Sequence, residues 1–276
     1  MINALIFSKN RPARLHLCIE SILENCNIFD KIFVVYKYND AYEESYKLLF
    51  DRFKQEKKII FREEILPLIE EFYYFINNLE TPYVCFITDD TVFYKKNPET
   101  KDNILSVFDG KTISFSLRLG KNTIVQDYRD NRHQPELYNE YEISNNIIKW
   151  NYNKYNKLDN YGYPFGMDGC IFESEEIQKL LDCIVIKNLR DFEGQLSLDK
   201  RYLYEKRKPF LASMKESLCV NIPTESVLGG LHHSNKVNSP EEELDRYKKG
   251  YIYINSISGV IGCHQEILLN WKKYNG

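Results

Sequence analysis

Residues 83–97 read YVCFITDDTVFYKKN. Five strand-forming residues run straight into Thr88, Asp89 and Asp90, after which the chain turns apolar again and then basic. Carboxylates buried without a partner are costly. Two in succession at the end of an apolar strand imply either a cation beside them or an exposed strand end. Asp is also a favoured turn residue, so the pair alone leaves both readings open.

The surroundings narrow the choice. Short apolar runs at residues 4–7, 32–36, 59–61 and 83–87 predict four buried strands. Between them lie three amphipathic helices. The first opens at Asn10-Arg11-Pro12, with Pro where a missing N–H is harmless, and carries Leu15, Cys18, Ile19, Ile22 and Leu23 on one face. Tyr42, Tyr46, Leu49, Phe50 and Phe53 mark the second, and Ile65 to Leu79 the third, with Pro67 in its first turn. Strands alternating with helices at this spacing predict an α/β fold with a parallel sheet covered on both faces.

The pattern then changes. TISFSLRLG, residues 112–120, alternates apolar and polar residues and reads as a half-exposed strand. Residues 121–165 are polar, Tyr- and Asn-rich and weakly periodic, suited to loops and short strands around a site. GCIFE predicts a strand, residues 174–181 a helix, residues 189–203 a looser helical pattern, and LCVNI a last strand. Ser239-Pro240-Glu241-Glu242 has the form of a capping box, with Gly250 closing that helix. No repeat or linker divides the chain. It reads as one domain over residues 1–276, with a nucleotide-type half at 1–120 and an elaborated acceptor-type half at 121–276.

The bulk numbers set limits. A hydrophobic fraction of 43% supports a substantial core, and a net charge of −3 gives no general basic field for nucleic acid. The seven cysteines include no C-x-x-C pair, which fits reduced, buried thiols in a cytoplasmic protein. No run approaches the roughly 18 apolar residues of a membrane span, although association with a membrane surface stays open. The abundance of Tyr (21) and Phe (16) fits either biased composition or an aromatic-lined carbohydrate site.

In open α/β sheets ligands bind beyond the carboxyl ends of the strands. Three such ends are polar here: Ser8-Lys9-Asn10-Arg11, Asn39-Asp40 and Thr88-Asp89-Asp90. A helix start with an adjacent arginine suits an anion, and paired carboxylates suit a hard divalent cation on phosphate oxygens. In this order the three resemble the GT-A glycosyltransferases of the family-2 type. Ser8-Lys9-Asn10-Arg11-Pro12 is similar to their turn after the first strand. VCFITDD is similar to their DXD motif, with Thr88 replacing the first acid. Residues 2–95 carry most of the likeness; YPFGMDGCIFESEEI and SPEEELDRYKKGY echo the acceptor side and C-terminal part more weakly.

The resemblance implies a nucleotide-sugar donor, a UDP-sugar, and a glycan or other hydroxyl acceptor. It implies Mn²⁺ or Mg²⁺ at Asp90, with Asp89 at the ribose or the metal. Asp40 would lie by the base or ribose, and Ser8, Asn10 and Arg11 by the nucleotide. His232 and His233 follow Gly229-Gly230 and read either as an exposed polar loop or as metal or diphosphate partners. An inverting reaction needs a base: Glu193 is the first choice and Asp191 the alternate, with Asp168 in GMDGC as an acceptor-binding group. The Gln-x-x-Arg-Trp motif of processive synthases is missing, which speaks against polymer synthesis. Two other classes compete. A sugar nucleotidyltransferase would need a Gly-rich turn after strand one, and FSKNRPARL has no glycine. A catalytically silent binding module could share the fold.

Overall fold

The computed structural model describes residues 1–127, 132–222, 240–252, 257, 259–265 and 271–273. The chain begins as alternating strand and helix: β1 (Ile2–Lys9), α1 (Pro12–Asn25), β2 (Lys31–Lys37), α2 (Glu43–Phe53), β3 (Ile59–Glu63), α3 (Leu68–Asn77) and β4 (Tyr83–Thr88). A short β5 (Thr91–Phe93), α4 (Lys101–Leu105) and β6 (Thr112–Ser116) follow. Next come β7 (Val125–Asp127), β8 (Arg132–His133), β9 (Glu140–Glu142), β10 (Ile147–Asn151), β11 (Cys170–Glu173), α5 (Ser174–Leu181), α6 (Leu189–Gly194), β12 (Phe210–Met214) and β13 (Cys219–Asn221). The last elements are α7 (Pro240–Tyr247), β14 (Gly250–Ile252) and β15 (Trp271–Lys273).

Nine strands form one mixed sheet in the order β3-β2-β1-β4-β11-β6-β12-β10-β9. The first four are mutually parallel. β11 runs antiparallel between β4 and β6, β12 is parallel to β6, and β10 is antiparallel to β12. Residues from both sides of position 120 therefore share one sheet. Alternation along β4 shows why its apolar run is unbroken: Val84 and Phe86 pack with α3, α5 and α6 on one face, Cys85 and Ile87 with α1 and α2 on the other. The strand order reverses at β1, which is flanked by β2 and β4, so the crevice of the sheet opens at the carboxyl ends of β1 and β4.

Several local expectations are corrected. The run at residues 112–120 is not half-exposed. β6 is wholly buried between β11 and β12, and its polar alternates are used inward, Ser114 Oγ donating to the Pro164 carbonyl at 2.7 Å. β10 and β12, which sequence patterning did not mark, extend the sheet. Pro67 is the N-cap of α3 rather than part of its first turn. Gly250 does not end α7 but opens β14, where a Cβ would lie 2.3 Å from the Lys272 carbonyl oxygen. All seven cysteines are free thiols; six are buried and Cys183 is exposed.

The C-terminal elements lean on α1. Arg14, 1% exposed, holds both carboxylate oxygens of Glu243 on α7 at 2.9 and 3.0 Å through Nε. Beside them His16 meets the Tyr247 hydroxyl at 2.8 Å and stacks on Tyr251. Burial, with Arg52 nearby, pushes the His16 imidazole down to about 3.

Candidate active site at the carboxyl ends of the strands

Three chain segments meet at the crevice. The first follows β1. Asn10 takes a left-handed conformation (φ 56°), which Asn tolerates better than most residues. Its backbone N–H donates to the Lys37 carbonyl, and its side-chain oxygen accepts from the Asn39 backbone at 2.9 Å. The turn after β1 is thereby tied to the end of β2, where Asp40 stands exposed at the start of a single helical turn. Arg11 is the N-cap of α1 and Pro12 its first residue.

The second segment follows β4. Asp89 is 4% exposed and spends its oxygens on Ser8 Oγ at 2.9 Å and Arg11 Nη1 at 3.3 Å. Burial pushes its carboxyl up to about 6 against the pull of Arg11, with Asp90 adding to the rise. Ser8 and Arg11 therefore support Asp89, and Asp90 is the more open of the two acids.

Thr88, where the DXD pattern has an acid, sits between two carboxylates. Its hydroxyl lies 2.6 Å from Asp90 Oδ1 and 2.7 Å from Asp168 Oδ1. One hydroxyl carries one proton, so it satisfies one carboxylate at a time and the other needs a donor from elsewhere. Asn221 on β13 supplies one, its amide Nδ2 reaching Thr88 Oγ1 at 3.0 Å and Asp90 Oδ1 at 3.1 Å. The Asn221 side chain is 2% exposed, and its oxygen has no partner among the described residues.

The third segment carries Asp168. Gly169 (φ 72°) donates to the Phe86 carbonyl at 2.7 Å, and a Cβ there would stand 2.8 Å from Cys219 Sγ. Only glycine fits, and the fit places Asp168 at the carboxyl end of β4. Arg118, 7% exposed just past β6, donates to Asp168 Oδ2 at 2.9 Å. His264 Nε2 lies 3.3 Å from the same guanidinium nitrogen and 3.9 Å from Asp168. His264 sits in an extended bridge with Asn221.

Glu193, near the end of α6, accepts from the Met167 backbone at 3.3 Å. A Cβ on Gly166 would lie 3.5 Å from Arg118 Nη2 and 3.8 Å from Glu193 Oε1, so both groups flank one glycine. Burial first, then the Asp168 charge, push the Glu193 carboxyl up to about 7, with Arg118 opposing. Asp191 is differently placed. It turns back to the Lys187 backbone and to Gln195, both at 2.9 Å, and the Lys187 hydrogen bond leads in holding its carboxyl low. A π-helical turn, a rare form frequent at functional sites, follows at Gln195–Asp199.

The structure thus brings together Ser8, Arg11, Asp89, Asp90, Asp168 and Glu193, with Asp40 on the adjoining rim. His232 and His233 lie outside the described residues. Sequence reasoning missed Arg118, Asn221 and His264. Arg118 looked like an outward residue of an alternating strand; Asn221 reaches the site because β13 pairs with β5, and His264 because the C-terminal segment bridges to β13. Among the described residues no three His, Cys, Asp or Glu side chains group to hold a metal alone. The donor set at Asp90, a carboxylate flanked by a second one across Thr88, does fit a hard cation that takes its remaining ligands from phosphate.

No family model matches the chain. It is 24% identical over 243 residues to the bifunctional glycosyltransferase pgtA of Dictyostelium discoideum, covering 78% of this chain and 30% of that protein. It therefore spans less than a third of this relative's length. S. aureus TarS 1–349, solved in complex with UDP-GlcNAc, matches with a TM-score of 0.50 at 13% identity, over 89% of this chain and 64% of that 1–349 chain. GalNAc-T7, solved with UDP, GalNAc and Mn²⁺, matches with a TM-score of 0.50 at 11% identity, over 90% of this chain and 50% of its own. Among the described residues no helix is long and apolar enough to cross a membrane. By its sheet order and these likenesses, the chain has a GT-A-type fold, one mixed central sheet flanked by helices.

Proposed function

We propose that this protein is a glycosyltransferase that moves a sugar from a nucleotide-sugar, a UDP-sugar, to a hydroxyl of a glycan or similar acceptor, with inversion. The observation that carries the reading is the meeting of two chemistries at one sheet edge. Arg11 and the open carboxylate Asp90 stand on the donor side, and a protonable carboxylate, Glu193, stands beside Asp168 and Arg118 on the other. The named activity of the curated relative and the UDP-type ligands of the two fold neighbours support it.

In this reading residues 1–276 act as one domain. Asp90 holds Mn²⁺ or Mg²⁺, as the Mn²⁺ in the GalNAc-T7 structure supports; the cation would neutralise charge on the diphosphate leaving group. Arg11 adds a fixed positive charge beside the diphosphate, and Asp40 meets the base or ribose. His232 or His233 assists on the diphosphate side. Asp168, steadied by Arg118, accepts a hydrogen bond from an acceptor hydroxyl. Glu193 takes the proton of the attacking hydroxyl. The acceptor oxygen bonds to the anomeric carbon from the face opposite the departing nucleoside diphosphate, so configuration inverts. Glu193 is preferred to Asp191 because the Asp191 carboxylate is already occupied in the turn that opens α6. Seven unpaired thiols suit a reducing, cytoplasmic setting.

The test is UDP release from a panel of UDP-sugars with Mn²⁺ and saccharide acceptors. Asp90→Ala should abolish metal-dependent turnover with the fold intact; full activity in that variant rejects the metal assignment. Pyrophosphate release from UTP and a sugar phosphate would replace the reading by nucleotidyl transfer. Donor binding without turnover would leave a binding module.

A further inference from the structure

A second concavity lies away from the crevice, an open cavity of about 480 Å³ lined by Asn153, Tyr155, Lys157, Arg201, Glu205 and Lys206, with Pro209 at its edge. Its position follows from strand directions. β12 is parallel to β6, which runs the same way as β4, so Phe210 at the start of β12 marks the amino-terminal edge of the sheet. β10 ends at Asn151 opposite Phe210, and the cavity residues directly follow β10 and precede β12. The cavity is therefore separated from Asp90 by at least the length of the strands, roughly 17–20 Å. Its volume falls within the ~300–1,000 Å³ range of small-ligand sites.

The charges there do not cancel. Within the run 205–208, Glu205 pairs with Arg201 at 3.3 Å, Arg207 with Glu176 at 2.6 Å, and Lys208 with Glu173. Lys206 has no such partner among the described residues. Among the described residues Lys157 donates only to the Leu198 carbonyl, at 3.3 Å. Two exposed ammonium groups thus face one cavity with no carboxylate of their own, in a chain whose net charge is −3. The walls are fixed in advance. The Tyr155 hydroxyl is held at 2.7 Å by both backbone groups of Tyr138, whose ring packs on it at 4.8 Å. Arg201, 2% exposed, is pinned by Asn153 and the Gly162 carbonyl and lies over the Tyr152 ring. Such preorganisation lowers the entropy lost on binding.

We infer that this cavity is an accessory site for an acidic saccharide, with Lys157 and Lys206 meeting its carboxylate or phosphate and Tyr155 and Pro209 meeting an apolar sugar face. The choice of a saccharide rests on the glycosyltransferase reading above; the requirement for an anion rests on the charges alone. An acidic glycan acceptor would then be gripped at two places.

Calorimetry with the full chain tests this, using digalacturonate, glucose 1-phosphate, cellobiose and inorganic phosphate as separate titrants. Saturable binding of either acidic sugar is expected, weakening with NaCl, with no binding of cellobiose. Each of Lys157→Gln and Lys206→Gln should weaken it roughly two- to five-fold, as for exposed ion pairs, and the Lys157→Glu/Lys206→Glu double variant should remove it. Both lysines are exposed, so these variants keep the fold. Equal binding of cellobiose overturns the acid requirement, and equal binding of inorganic phosphate overturns the saccharide. No binding of either acidic sugar, or unchanged binding in the double variant, overturns the site. UDP-sugar hydrolysis without added acceptor, measured alongside, stays at the wild-type level in the double variant. Loss of turnover in the wild type would reject the transferase reading without touching the titration.

Discussion

Glu193 makes the transferase reading testable on stability as well as rate. Its carboxyl sits at about 7, against an ordinary 4.5, because burial and Asp168 penalise its charge more than Arg118 relieves it. A carboxyl raised on folding binds its proton more tightly in the folded than in the unfolded chain. The folded state is therefore favoured below about 4.5 and loses stability as pH rises from there through about 7. At about 1.4 kcal/mol per pH unit of displacement, the unscreened cost is about 3–4 kcal/mol above pH 8. Glu193 is partly rather than fully enclosed, and solvent screening trims this to about 1–3 kcal/mol. Glu193→Gln keeps the shape and the acceptor for the Met167 N–H but carries no charge. It should be more stable than wild type by that amount at pH 8, with the gap closing at pH 5. Titrating groups distant from Glu193, His16 among them, cancel in the difference. The same variant should bind UDP normally and lose transfer by about 10²–10⁴-fold, and wild-type transfer should fall as pH drops below about 7. Urea titrations at the two pH values and initial rates are the assays. A pH-independent stability difference refutes the raised carboxyl, near-normal transfer refutes the base, and a product retaining the donor's anomeric configuration refutes the single-step mechanism.

Arg11→Ala should weaken UDP binding about tenfold or more, the loss of a charge-assisted hydrogen bond worth ~1.5–3 kcal/mol, and Asp40→Ala should alter base preference; unchanged calorimetric affinities in both would remove them from the donor site. Glu243→Ala leaves the Arg14 guanidinium buried without its carboxylate, which should cost about 3–5 kcal/mol in chemical denaturation. A loss under about 1 kcal/mol would mean α7 is not anchored there. A disulfide-exchange reagent should modify Cys183 rapidly and the six buried thiols only on unfolding, and two fast-reacting thiols would contradict the packing.

What could be read from sequence was local. The runs at β1 to β4 are apolar because both faces of those strands are covered, and the amphipathic face of α5 marks its bounds, residues 174–181, without help from its neighbours. FLASM of β12 was missed because its small and polar residues are buried by the sheet partners on either side, not by any pattern of its own. The same holds within the site. Asp89 and Asp90 announce themselves at the end of an apolar run. Nothing nearby in sequence tells that Thr88 bridges to Asp168, or that Asn221 and Arg118 converge on that pair across the fold. Nor does the acidic pair reveal that its first member faces Ser8 and Arg11 inside the protein.

The place of β11 between β4 and β6 also bears on how the molecule is made. During synthesis β4 emerges long before the strand that will flank it, and β6 emerges with no partner on the side β11 will take. Until Cys170–Glu173 arrives, the nascent amino-terminal unit carries an open sheet edge of the kind that pairs with other chains. Asp89 and Asp90 follow directly on β4, so the crevice they line is complete on its far side only once β11 has docked.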